Sequence, residues 1–165
     1  FEIIGEIKTK QRPRASIIKG RPLIYTPKDT LYYENYIRQC YLNYAENEQN
    51  VCVESSFGDK PISVSITAYF KAPKKYEKYG DLVAQIACDK HKDLDNIAKT
   101  ILDSLNKIAY DDDKQVIDLV IRKYWTNEQE KIRVNIYNAK VMGLVEEEEF
   151  KEKWKKYYKK GQKNA

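Results

Sequence analysis

The run Pro61-Ile62-Ser63-Val64-Ser65-Ile66-Thr67-Ala68-Tyr69-Phe70 alternates apolar and polar positions for almost its whole length. Only an extended strand with one buried face accommodates that pattern. Such a strand needs neighbours and a cover, and the cover is legible further along. Leu94, Ile97, Ala98, Ile101, Leu102 and Leu105 recur at helical spacing and form a single apolar stripe, which predicts a helix from Leu94 to about Asn106. Two different periods in one chain point to an α+β fold.

The remaining elements fit one domain of 165 residues with an appended piece. Phe1 to Ile7 reads as a strand leading into a basic loop that carries Lys8, Lys10, Arg12, Pro13 and Arg14. A short extended piece around Leu23 to Tyr25 precedes Thr26-Pro27-Lys28-Asp29, a turn and helix start. The helix runs from about Thr30 to Glu48, with Leu31, Tyr32, Tyr36, Ile37, Cys40, Tyr41 and Tyr44 at helical spacing. Asn50 to Lys60 is a polar loop, and Lys71 to Cys88, rich in Lys and Tyr, is expected to be a mobile loop. Strands at Val116 to Trp125 and Lys131 to Ala139, joined by the turn-like Thr126-Asn127-Glu128, close the core. The expected fold is a small mixed sheet of about four strands packed with two main helices. Beyond Gly143 four glutamates precede Lys151, Lys153, Lys155, Lys156, Lys159 and Lys160, an order that complements a helix dipole. Residues 1–142 are thus expected to form the main unit and 143–165 a charged helical extension.

Thirty Lys and Arg against 25 Asp and Glu give a net charge of +5, which favours a polyanionic partner. Cys40, Cys52 and Cys88 form no C-x-x-C pair, so neither a zinc knuckle nor a closed disulfide framework is indicated. No stretch approaches a membrane span, and reduced thiols in a cytoplasm are the plain expectation.

Against this basic background stand two acidic clusters. The first is Asp93-Leu94-Asp95-Asn96 with Lys99 one turn on; the second is Asp111-Asp112-Asp113 followed by Gln115. Crowded carboxylates repel unless a cation sits among them, and oxygen ligands suit magnesium. Each cluster also has a plain structural reading. Asp93 can be a helix N-cap, Asp95, Lys99 and Asp103 a charged rail beside the apolar stripe, and the aspartate triplet an acidic turn. A helix followed by a strand in one sheet brings the strand's start back to the helix's end, which works against a union of the two clusters. Running the loop Lys107 to Asp112 back along the helix, or passing the sheet beneath its N-terminus, would restore it.

The residues carry a family resemblance. His91 to Lys99, then Leu102-Asp103-Ser104-Leu105-Asn106, then Tyr110 and Asp112-Asp113-Lys114-Gln115-Val116 join a D-L-D-N-x-x-K block, a D-x-L block and a D-D-x-Q block. This combination resembles the signature of RusA-type Holliday-junction resolvases, as does the order of elements from Phe1 to about Ala139, with Arg12-Pro13-Arg14 and Tyr25-Thr26-Pro27 near the start. The resemblance implies a RusA-like fold and a homodimeric, bacterial or phage-encoded endonuclease of DNA recombination and repair. It would bind four-way DNA junctions and nick two opposed strands with magnesium, manganese being a substitute. Asp93, Asp95 and Asp113 match the essential acidic positions, Lys99 the functional lysine, and Asp112 a neighbouring acid that is a further metal-ligand candidate. The extra Asp111 leaves open which two of the three aspartates face the metal, and the two clusters could meet either within one chain or only in the implied dimer.

That chemistry suits the residue types. Phosphodiester hydrolysis needs a nucleophilic water and relief of charge on the phosphoryl oxygens, which a magnesium ion held by Asp93, Asp95 and Asp113 supplies. Lys99 fits electrostatic stabilisation of the developing charge, and Asn96 either orients a ligand or belongs to the helix start. Arg12, Arg14, Lys71, Lys74, Lys75, Lys78 and Lys92, with Tyr69, Phe70, Tyr76 and Tyr79 interleaved, are candidate phosphate and base contacts or a solvated loop. His91, the single histidine, reads as a surface or DNA-facing group. The rival functions are a branched-DNA-binding module with a structural cation, a hydrolase of free nucleotides, and a calcium-binding protein. The last lacks the glycine and distal glutamate of an EF-hand.

Overall fold

The computed structural model describes residues 1–11, 14–18, 21–47, 57–139, 148, 150–152 and 155. Strands β1 (Glu2–Ile4), β4 (Ile62–Lys71), β5 (Val116–Thr126) and β6 (Lys131–Asn138) form one sheet in the order β1-β6-β4-β5. A hairpin of β2 (Arg14–Ile18) and β3 (Arg21–Tyr25) makes a separate two-stranded sheet. Helices α1 (Lys28–Asn47) and α2 (Leu94–Leu105) supply the other layer. The expected α+β class, with a four-stranded mixed sheet and two main helices, is the fold observed.

β4 is the centre of the sheet because its alternation is fully used. Ile62, Val64, Ile66, Ala68 and Phe70 are all buried, and they share one core with Ile37 and Tyr41 of α1, Ile97, Ile101 and Leu105 of α2, and Ile132 and Val134 of β6. β4 pairs in parallel with β5 and antiparallel with β6, so the strands joined by Thr126-Asn127-Glu128 are not neighbours. Their link crosses the end of β4, and Glu130 fastens the crossing. Its carboxylate accepts the Ile7 and Lys71 N–H groups, each at 3.2 Å, while its carbonyl accepts Gly5 N–H at 2.8 Å. Three backbone donors that no strand pairs are satisfied there.

Three sequence expectations need correction. Lys71 to Cys88 is not an open loop: Lys74–Gln85 winds as a 3₁₀ segment interrupted at Gly80, whose φ of 53° and ψ of −135° no helix contains. The buried side of α1 is Thr30, Tyr33, Glu34, Ile37, Tyr41 and Ala45, leaving Leu31, Tyr32, Tyr36 and Tyr44 exposed. With aromatics on every side of that helix, composition does not select a face. In α2 the buried stripe is rotated, so that Thr100 and Ser104 are inside while Leu94 is exposed. Their hydroxyls donate to the Asn96 and Thr100 carbonyls at 2.7 and 2.6 Å, which lets two polar side chains face α1 without an unmet hydrogen bond.

The basic segment before the hairpin is clamped between the helices. Lys10 donates its N–H to Thr100 Oγ1 at 2.8 Å, and its ammonium lies 2.6 Å from Asp103 and 3.5 Å from Glu34. Asp103 is therefore committed to Lys10 and does not continue a rail with Lys99. Glu148, Phe150, Lys151, Glu152 and Lys155 are helical and exposed; the rest of the charged extension lies outside the described residues. No helix among the described residues is long and apolar enough to cross a membrane.

Candidate active site

Asp93 occupies the N-cap position of α2 with extended backbone, yet its side chain caps nothing. The structural role that its position suggests is not taken up. Its one polar contact described is a long one, 3.5 Å from Asn96 Nδ2. Asp95 in the first turn of the helix and Lys99 one turn further on are both exposed. Two carboxylates thus stand at the positive end of the helix dipole, with an exposed lysine one turn along the helix.

The loop that presents Asp93 is built by contacts the sequence does not advertise. His91 adopts a φ of 65° and stacks on Phe70, with ring centroids 4.9 Å apart, while meeting Trp125 edge-on at 5.3 Å. Lys123 Nζ donates to the Lys90 and Lys92 carbonyls, both at 3.0 Å. His91 is therefore a packing group. Phe70 is buried in the core beneath it and is closed to base stacking.

The second cluster is divided in function. Asp112 caps the 3₁₀ turn Asp113–Gln115, accepting Lys114 N–H at 3.1 Å, and that N–H holds its carboxyl below the usual range. Gln115 is the anchor of the motif. Its Oε1 accepts Asp112 N–H at 2.8 Å, and its Nε2 donates to the Gly58 and Lys60 carbonyls at 2.6 and 2.9 Å. This ties the start of β5 to the turn before β4. Asp113, by contrast, is exposed. Its charge, with that of Asp103, adds to burial in pushing the Tyr110 phenol up, and Tyr110 donates to the Leu102 carbonyl at 3.0 Å.

These contacts fix where the clusters lie. Asp113 is at the C-terminal end of α2, whereas Asp93 and Asp95 are at its N-terminal end beside Lys123. A helix of 12 residues is about 18 Å long, and the strand from Val116 to Lys123 spans about 23 Å. Among the described residues no three His, Cys, Asp or Glu side chains are grouped to hold a metal ion. A single chain therefore does not assemble Asp93, Asp95 and Asp113 into a magnesium site.

Of the candidate DNA contacts, Arg12 lies outside the described residues, and Arg14 is described only as backbone at the start of β2. Lys71, Lys74, Lys75 and Lys92 are exposed. Lys71 is partly engaged, donating to the Asn127 carbonyl. Lys75 and Lys78 lie over the Tyr76 and Tyr79 rings at 4.6 and 5.0 Å, so cation and aromatic do alternate on the 3₁₀ segment.

Comparison with known proteins accounts for the motif. The family model described as endodeoxyribonuclease RusA matches residues 5–137, a span that contains both acidic clusters. The chain belongs to the RusA endodeoxyribonuclease family. RusA enzymes are Holliday-junction resolvases and in general need a divalent metal, so the chain is an endonuclease of that class. It is also similar to a protein of Bacillus subtilis (strain 168) described as uncharacterized protein YqaN. The two are 27% identical over 133 residues, covering 78% of this chain and 88% of the relative.

Proposed function

We propose that this RusA-family chain is a magnesium-dependent enzyme that resolves four-way DNA junctions by paired nicks in recombination and repair. Asp93, Asp95 and Asp113 are the proposed metal ligands, brought together between the two chains of a homodimer, manganese is the expected substitute, and Lys99 is the residue proposed to stabilise charge developing on the scissile phosphate. The observation that carries this reading is the unspent carboxylate of Asp93. A residue at the N-cap normally stabilises its helix through a side-chain hydrogen bond, and here none is made. Asp112, whose carboxylate is spent on a cap, is assigned a structural role ahead of a ligand role.

Lys74, Lys75 and Lys92, together with Arg12, Arg14 and Lys71, are the proposed phosphate contacts. Their exposure supports the four lysines in that role. Two copies acting together supply the two nicks, and residues 1–142 are the proposed nuclease unit, with 143–165 appended. A bacterial or phage-encoded cytoplasmic enzyme fits the Bacillus relative.

The test separates binding from cutting. Asp93→Asn and Asp113→Asn variants are expected to bind a synthetic four-way junction with wild-type affinity and to lose cleavage by about a thousandfold or more. Cutting by either variant at the wild-type rate would remove that residue from the centre. Junction binding without cleavage by the wild type, in magnesium or manganese, would instead favour a branched-DNA-binding module.

A further inference from the structure

The hairpin of β2 and β3 is a sheet of its own. Among the described residues its strands make backbone hydrogen bonds only with each other. Directly opposed residues of an antiparallel ribbon share a face, so Ala15 with Ile24, and Ile17 with Pro22, lie together on one side. All four are apolar and all four are exposed, Ile17 to 78% and Ile24 to 73%. A lone two-stranded ribbon has no second layer in which to bury such a face, and an apolar patch left in water marks a site of interaction.

Charge and size name the occupant. From Ile7 to Lys28 the chain holds seven Lys or Arg and no Asp or Glu. An apolar face within so basic a segment complements a ligand that is polyanionic outside and apolar inside. The four side chains cover about 7 Å along the strands and about 5 Å across them, the scale of one base pair and far less than a stable protein contact buries. Base-pair faces are closed by stacking in a duplex and open only where the stack is broken, and Ile and Pro are residue types that enter such breaks. The branch point of a four-way junction is one, because each arm ends there on a base pair.

We propose that the hairpin recognises the branch point: the face of Ala15, Ile17, Pro22 and Ile24 lies against the base pair laid bare where the arms part, and Arg21 holds a flanking phosphate. The proposal rests on the endonuclease reading above and assigns its choice of junction over duplex to a surface away from the metal ligands. Position agrees with this. Gln11 N–H donates to Thr30 Oγ1 at 3.2 Å, which fixes the first strand's approach to the start of α1, and the buried Pro27 leads the second strand into the same helix. A cavity of about 250 Å³ at this root is lined by Lys8, Gln11, Thr30 and Lys92, among others. Lys92 immediately precedes Asp93. The hairpin therefore rises beside the Asp93 end of α2. The five residues of β2 reach about 17 Å, or about five base pairs at 3.4 Å each, which sets the distance from branch point to scissile phosphate.

The test uses the full-length protein and a four-way junction carrying a fluorescent purine analogue at the branch point, with a chelator present so that nothing is cut. Ile17→Thr and Ile24→Thr are combined in one variant, which keeps β-branched residues in both strands. Wild-type protein is expected to raise the fluorescence on binding, as the labelled base loses its stacking neighbour. The double variant should lose most of that rise and bind the junction about tenfold more weakly, while its duplex affinity and unfolding midpoint stay unchanged. Arg21→Gln should instead weaken junction and duplex alike and lower the salt slope of binding by about one. A double variant that unstacks and binds the junction as wild type does, or that loses junction and duplex affinity equally, overturns the proposal.

Sedimentation of the same variant covers the other occupant. A smaller assembly with unchanged preference for the junction would make the apolar face a contact between proteins, and that result also overturns the proposal. The endonuclease reading is decided separately, by cutting in magnesium. Wild-type protein that cuts the junction, beside a double variant with undiminished selectivity, refutes the hairpin's role and leaves the enzyme intact. Wild-type protein that binds the junction and never cuts refutes the enzyme, and the fluorescence still decides the hairpin.

Discussion

Replacing Gln115 by Leu should show how the D-D-x-Q motif works. The side chain is buried and makes three hydrogen bonds, to Asp112 N–H and to the carbonyls of Gly58 and Lys60. Each is worth about 1 kcal/mol net, and Leu fills nearly the same volume while returning some apolar burial, so the variant is expected to lose about 2 kcal/mol. For a chain of this size that is a fall in Tm of roughly 4–8 °C, measured by calorimetry or by urea unfolding. Gln115→Glu keeps the acceptor for Asp112 but sets a carboxylate against two carbonyls. Burial and those carbonyls raise its pKa above the usual range. Sign then follows: the protonated acid can donate, so the variant is less damaged at low pH and loses stability as pH rises through that raised value. A Gln115→Leu protein that unfolds at the wild-type midpoint would refute the idea that this amide ties the start of β5 to the turn before β4.

Other consequences are as direct. Lys10 has its pKa raised, first through its hydrogen bond to Asp103 and further by Glu34. Its contribution is therefore complete below the ordinary lysine value near 10.4 and is lost as pH rises through the raised one; Asp103→Asn should flatten this alkaline limb in pH-dependent unfolding. Glu130→Ala strands the Ile7 and Lys71 N–H groups and is expected to lower stability by about 2 kcal/mol in urea titrations. His91→Ala removes two ring contacts and should cost about 1–2 kcal/mol while leaving junction affinity unchanged, the opposite of what a DNA-facing histidine predicts.

β4 and α2 were legible in the sequence because their periods are uninterrupted, and an apolar stripe at spacing two or near 3.6 has one structural solution each. The face of α1 was not, since tyrosines surround that helix and several of them lie along exposed strips. Nor was the 3₁₀ winding of Lys74–Gln85, which imposes no apolar period, or the hairpin β2–β3, whose Ile17 and Ile24 remain 78% and 73% exposed and so leave no burial pattern. The placement of β4 between β5 and β6 is a matter of topology that strand patterns do not encode. Within the candidate site, the residue types and the family signature were visible in advance. The division of labour was not: a carboxylate that caps, as Asp112 does, and one that does not, as with Asp93, look alike until their hydrogen bonds are seen. The separation of the two clusters follows from helix α2 running back along the sheet, the difficulty that the order of elements had already raised.

The measurement closest to the central claim is cleavage of a synthetic four-way junction by the wild-type protein in magnesium, with a linear duplex of the same sequence as control. The account predicts paired nicks at symmetric positions in opposed strands of the junction and an uncut duplex. Equal cutting of both substrates, or of neither, would contradict it.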